Sequence, residues 1–165
     1  MLSKAMQDAI NEQIKNELYS AYLYLAMSNY YEEKNLGGFA NWLKVQFQEE
    51  QGHALKFMEY IQERGGQVVL KAIDQPPSSF GTNMEVFQQV LEHEKKVTGW
   101  IYKLYELALK ENDYPTQLML QWFINEQVEE EKNASDIIAS LGMIEAHETA
   151  VLMLDHDLGH RKAGG

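Results

Sequence analysis

Four long stretches of this chain repeat apolar residues at steps of three and four, and each repeat carries a glutamate near its middle. In the first, Ile10, Ile14, Ala21 and Leu25 form the stripe and Glu17 interrupts it. In the second, Phe39, Leu43, Ala54, Phe57 and Ile61 surround Glu50, with His53 one turn further along. Val90, Val97, Ile101 and Ala108 flank Glu94 in the third; Leu120, Phe123, Ala134 and Leu141 flank Gln127 and Glu130 in the fourth. Such steps mark the face that an amphipathic helix buries. The chain must therefore pack helices that turn carboxylates toward their own core, where an ionised carboxylate is costly unless something pairs with it.

Glycine clusters and three prolines punctuate the pattern. Helices are expected over about residues 4–33, 38–64, 82–111 and 113–142. The first stops before "NLGGF" and the second at Gly65-Gly66. Thr82 and Glu85 have capping-box spacing at the third, and Pro115 sits in the first turn of the fourth, where its missing amide is no loss. A short fifth segment, "IEAHETAVLMLDHDLG", places Ala146, Ala150, Leu154 and Leu158 at helical spacing, and the tail "HRKAGG" is expected to fray.

Loop lengths set the topology. Short links after the first and third helices make antiparallel neighbours. The connection from Gly65 to Thr82 is long enough, at up to about 3.3 Å per residue, to run the length of the bundle. So long a loop is unusual in a compact domain; a crossover gives it a task, because the third helix then starts at the end where the second did. The expectation is an all-α single domain over residues 1–165. Residues 1–142 form an up-down-down-up four-helix bundle and residues 143–165 a short C-terminal helix and tail.

A net charge of -11 speaks against nucleic acid or anionic membrane as partners and concentrates cations near the surface. With no cysteine, disulfides, thiolate metal sites and an attached four-thiolate iron centre are excluded. No apolar run approaches the roughly 20 residues of a membrane span, and the opening "MLSKAMQDAINEQIKNELYS" has no signal-peptide core. The expected location is the cytoplasm.

Glu17, Glu50, Glu94 and Glu130 all fall near mid-helix, so they can meet at one level. A single glutamate on an apolar face reads most simply as a snorkelling side chain or half of a core ion pair. Four at one level need four coincidences, and no Lys or Arg stands at the centre of the stripes. Together they repel one another and raise one another's pKa unless cations are present. Oxygen ligands with one imidazole suit iron, manganese or magnesium. Four carboxylates balance two Fe(II) ions, and manganese fits the same count.

"NEQIKNELYSAYLYLAMSNYY", "FQEEQGHALKFMEYIQERGG" and "LQWFINEQVEEEK" resemble the prokaryotic haem-free ferritins, which carry a di-iron ferroxidase centre inside each subunit. The resemblance covers nearly the whole chain, including the fifth helix and its "MLDHDLG" ending. It implies that Glu17, Glu50 and His53 hold the first iron, that Glu50 bridges, and that Glu94 and Glu130 hold the second. Gln127 would face the oxygen side of the site or a bound water. Glu49, Glu126 and Glu129 match a neighbouring third iron position; a solvated acidic face is the equal alternative. Tyr24 matches a tyrosine beside the family's centre that donates an electron or a hydrogen bond, where the plain reading is a core tyrosine. Trp122 matches a tryptophan near the site, and packing explains it as well.

Haem-binding relatives carry a second E-x-x-H on the fourth helix and a methionine between the Glu and His of the second. Here those positions read Gln127-Val-Glu-Glu130 and Gln51-Gly52, which implies no haem. The weaker second site fits iron that moves on to a mineral. His93 is expected to be exposed or interfacial. His147, His156 and His160 are expected at the surface or in subunit contacts, with His147 and His156 near symmetry mates.

The resemblance thus implies an iron-storage ferritin. Fe(II) would be oxidised by O2 or H2O2 at the Glu17, Glu50, His53, Glu94 and Glu130 centre and stored as ferric mineral inside a shell of twenty-four copies. One rival is a free-standing di-iron redox enzyme, such as a peroxide reductase of the rubrerythrin kind; the absent cysteines and Gln127 count against it. Another is a helical assembly protein with a merely acidic core. A DNA-protecting miniferritin places its ligands at subunit interfaces and lacks the fifth helix.

Overall fold

A computed structural model describes residues 1–144 and 146–164. Among them are five helices: α1 (Lys4–Glu33), α2 (Gly37–Glu63), α3 (Asn83–Lys110), α4 (Tyr114–Ile144) and α5 (Glu148–Leu158). Local chemistry sets most of the ends. Ser3 Oγ accepts the Met6 amide at 3.0 Å and caps α1. At α3, Thr82 Oγ1 accepts the Glu85 amide and Glu85 Oε2 accepts the Thr82 amide, a reciprocal cap. Asn35 (φ 58°) and Asn112 (φ 53°) adopt the left-handed conformation in the two short links, a geometry that asparagine tolerates better than most residues.

Two boundaries depart from expectation. The fourth helix continues through Gly142 to Ile144. One mid-helix glycine costs only about 1 kcal/mol, and the neighbouring Leu141 is buried in the core. Ala146 is exposed and lies before α5, outside the fifth helix.

The helices run up, down, down, up. Met6, Ile10 and Ile14 at the start of α1 share a core cluster with Phe57 and Ile61 late in α2, Ile101 and Ala108 late in α3, and Phe123 early in α4. At the other end, Tyr31 stacks on Phe39 with centroids 4.9 Å apart, and Phe87 and Leu141 complete the cluster. The crossover between α2 and α3 runs along α1. The Gln67 amide donates to Gln7 Oε1 and the Val69 amide to Asn11 Oδ1, both at 2.9 Å. Further along, Tyr30 Oη donates to the Gly81 carbonyl at 2.6 Å. Residues 7 to 30 of α1 span roughly 35 Å at 1.5 Å per residue, which is the reach the long connection needs.

The C-terminal segment folds back on α2. The N-terminus of α2 has no side-chain cap of its own; Asp155 Oδ1 supplies one, accepting the Gly38 and Phe39 amides at 2.8 and 2.9 Å. Gly38 permits this approach, because a Cβ there would sit 1.5 Å from the Asp155 carbonyl oxygen. Leu158 enters the core beside it. The tail does not fray at Arg161 as expected. Asn41 Nδ2 donates to the Leu158, Gly159 and Arg161 carbonyls, and the Arg161 guanidinium lies 4.2 Å from the Trp42 ring centroid.

Candidate metal centre

A polar layer separates the two apolar clusters. Glu17, Glu50 and Glu94 are fully buried, and His53, Gln127 and Glu130 are nearly so. Each sits mid-helix because its stripe neighbours are core residues, so burying the stripe carries the carboxylate inward. Two groups of three donors converge: Glu17, Glu50 and His53, and Glu50, Glu94 and Glu130, with the donor atoms in each within 4.8 Å of one another. Glu50 belongs to both.

His53 Nδ1 lies 3.3 Å from Glu50 Oε2 and 3.7 Å from Glu17 Oε2. Those three atoms are buried and lack a hydrogen-bond partner among the described residues. Converging, buried donors without hydrogen-bond partners fit a cation, since a buried polar atom left alone carries its full desolvation penalty. The opposite edges of the carboxylates are held. Gln13 Nε2 donates to Glu17 Oε1 at 3.0 Å. Gln46 Nε2 donates to Glu130 Oε2 and lies 3.4 Å from Glu50 Oε1. Tyr24 Oη donates to Glu94 Oε1 at 2.5 Å, and Gln127 Nε2 to Glu94 Oε2 at 3.1 Å. Such supporting donors fix the orientation of metal-binding carboxylates.

The electrostatics are those of a site built for positive charge. Burial, then the charges of Glu94 and Glu17, push the Glu50 carboxyl well above its ordinary range. Burial and Glu94 push Glu130 up to about 8. Glu94 also rises through burial, partly offset by its bonds from Tyr24 and Gln127. Burial works against charge on Glu17 too, but His53, Glu50 and Gln13 outweigh it and hold that carboxyl below the usual range. Burial opposes charge on His53 as well; Glu126, Glu17 and Glu50 overcome it and raise its affinity for a proton.

Residues 7–144 match the ferritin-like domain family. The chain belongs to the ferritins. It is 43% identical over 161 residues to a bacterial non-heme ferritin of Bacteroides fragilis, covering 98% of this chain and 100% of that one. A Staphylococcus aureus bacterial non-heme ferritin is 36% identical, with 98% and 97% covered. Among solved structures, an open-pore ferritin from the archaeon Archaeoglobus fulgidus superposes with a TM-score of 0.97 at 45% identity, covering 98% and 99%. A humanized archaeal ferritin gives 0.98 at 43% identity over the whole of both chains. These full-length relatives and the metal-ready core identify an iron-storage ferritin and disfavour the free-standing redox enzyme.

The outer acidic residues of this ferritin have separate surroundings. Glu49 Oε2 pairs with Arg161 at 2.9 Å, and burial raises its carboxyl. Glu126 Oε1 lies 3.9 Å from His53 Nε2 and joins His53 and Glu130 in a third donor group. Glu129 is exposed and joins none of these groups. Trp122 is 41% exposed, with its ring edge-on to His53 at 5.6 Å.

His93 departs from its expected position. It is buried between α1 and α3, its Nε2 2.7 Å from Ser20 Oγ, within about 6 Å of the Tyr19, Tyr24 and Trp100 rings. Burial is the main reason its pKa falls to about 4. His147, His156 and His160 are exposed on this chain. Gln13 and Gln46 also belong to the site, beyond the residues expected from the sequence. The available signal was an amide on the buried stripe four residues before Glu17 and Glu50, the spacing at which helix side chains meet.

Proposed function

We propose that the polar layer is a ferroxidase centre. The observation that carries this reading is Glu50, buried in the bundle and shared by two three-donor groups. Glu17, Glu50 and His53 hold the first Fe(II), Glu94 and Glu130 the second, and Glu50 spans both. Two Fe(II) ions release two electrons, enough with two protons to reduce O2 to H2O2, or H2O2 to two waters. Four carboxylates match the charge of the reduced pair, so the substrate ions enter a core that their arrival neutralises.

Tyr24 holds Glu94 by hydrogen bond and is near enough to supply an electron. Gln127 fixes the other Glu94 oxygen and, being neutral where a charged ligand would bind more tightly, leaves the second site weaker. That suits iron in transit to a mineral. Glu49, Glu126 and Glu129 form the onward acidic route and a third iron position. With Gln51 and Gly52 between Glu50 and His53, the chain offers no methionine there for haem.

The shell is a homo-oligomer of twenty-four copies in the cytoplasm. The full-length match to ferritins supports the assembly, as does exposed apolar surface on α5 at Leu152 and Met153. Among the described residues no helix is long and apolar enough to cross a membrane.

The test is aerobic loading of metal-free protein with excess Fe(II), followed by sizing with iron and protein detected together. Rapid oxidation and iron far beyond two per chain on a large shell is the expected result. Iron stopping at about two per chain on a small oligomer would leave the two-metal site standing and overturn the shell.

A further inference from the structure

Three oxygens from Trp42, Gln46 and Glu49 of α2 converge on a positive charge that the chain itself provides. Arg161 Nη1 donates to the Trp42 carbonyl at 3.0 Å, and Nη2 donates to Gln46 Oε1 and Glu49 Oε2, both at 2.9 Å. The Trp42 ring lies against the guanidinium. Arg161 comes from the tail that follows α5, more than a hundred residues away in sequence, and its side chain is only 13% exposed.

Gln46 links this position to the centre. Its amide oxygen faces Arg161, so its nitrogen faces Glu130 and approaches Glu50 and Glu94. An amide has one acceptor end and one donor end; Arg161 therefore determines which end the carboxylate layer meets. Glu49 meanwhile has its charge balanced before any ion arrives.

We propose that Arg161 is a latch: its guanidinium fills an oxygen-lined cation position beside the metal centre, and a divalent cation that takes Glu49 Oε2 together with the Gln46 and Trp42 oxygens must displace it and release the C-terminal tail. Carboxylate, amide and carbonyl oxygens are ligands that a hard divalent ion accepts. An ion held by these same three oxygens would take the place of the guanidinium, so binding there and docking of the tail exclude each other. This inference rests on the two-metal reading of the neighbouring centre.

Zn(II), which has no redox chemistry, tests the latch without turnover. Metal-free, assembled protein is titrated calorimetrically, and backbone hydrogen exchange is followed at residues 159–163. The parent should bind two Zn(II) per chain tightly and a third weakly, with the tail protected until the third binds. Arg161→Gln should tighten the third by about tenfold or more and leave the tail fast-exchanging from the start. Arg161→Lys, which keeps the charge and loses the fork, should fall between. Glu49→Gln should abolish the third ion and free the tail, with the first two retained.

Equal third-ion affinity in parent and Arg161→Gln would overturn the latch, even with a loosened tail, because that pattern describes packing alone. A parent that binds fewer than two Zn(II) would overturn the two-metal centre and the latch with it.

Discussion

The phenol of Tyr24 donates to Glu94 Oε1 at 2.5 Å across the interface of α1 and α3. It is the one aromatic hydroxyl that bonds directly to a carboxylate of the layer among the described residues, and burial with the Glu94 charge holds it firmly in the protonated form. Tyr24→Phe leaves that oxygen only the long 3.5 Å approach of Gln46 Nε2, a loss of about 1–3 kcal/mol for a poorly satisfied buried acceptor. Metal-free protein should melt lower, two divalent ions should still bind, and stopped-flow oxidation of Fe(II) should slow several-fold. Lower stability with an unchanged rate would reduce Tyr24 to a hydrogen-bonding core residue.

Glu50→Ala removes the carboxylate common to both donor groups. Loss of supporting residues around metal sites typically costs 10–100-fold, so loss of a shared ligand should slow the first Fe(II) oxidation by about 100-fold or more. The bundle should remain assembled by sizing. Oxidation of the first irons at the parental rate would show that the centre lies elsewhere.

Metal-free protein should lose stability as pH rises from 5 to 8. Glu130 has an ordinary value of 4.5 and is raised to about 8 when folded. Between those values the folded chain keeps a proton that the unfolded chain has released, so each increment of pH favours unfolding. Glu50 and Glu94, also raised, act in the same sense. So does His53, which is raised above its ordinary 6.5 and whose contribution fades above that value. Glu17, lowered when folded, works the other way with its window below 4.5, and His93, lowered from 6.5 to about 4, opposes the trend only up to about pH 6.5. The melting temperature should drop by on the order of 5 °C across the range. Saturating Zn(II) should remove the slope, because bound ligands are deprotonated. A flat or rising metal-free profile would contradict the electrostatic account.

Asp155→Ala removes the cap that α5 places on α2, worth roughly 0.5–2 kcal/mol for a helix cap. Hydrogen exchange should accelerate over residues 148–161, while the α1 stripe stays protected. Gly38→Ala should act more strongly, since its Cβ would overlap the Asp155 backbone and push α5 away. Unchanged exchange in both variants would mean that α5 is held by other contacts.

Much of this molecule is decided by short-range pattern, and the sequence alone carries it. Apolar residues at steps of three and four state which face of each helix turns inward, so α1 is legible from Lys4 to Glu33 and the Thr82 cap from four residues. The same periodicity brings Glu17, Glu50, His53, Glu94 and Glu130 to one level. A crossover followed from loop length, because only one topology uses so long a connection. Periodicity does not state what lies across the interface. The reach of Gln46 to Glu130, the burial of His93 against Ser20, the cap that Asp155 gives Gly38, and the hold of Arg161 on Glu49 join residues on different elements. Each depends on helix rotation and on partners far along the chain. His93 shows the difference most plainly: by its own helix it sits off the stripe, and the width of the α1–α3 contact buries it. Local pattern specified the helices and the candidate ligands; the docking of distant segments decided what holds those side chains in place.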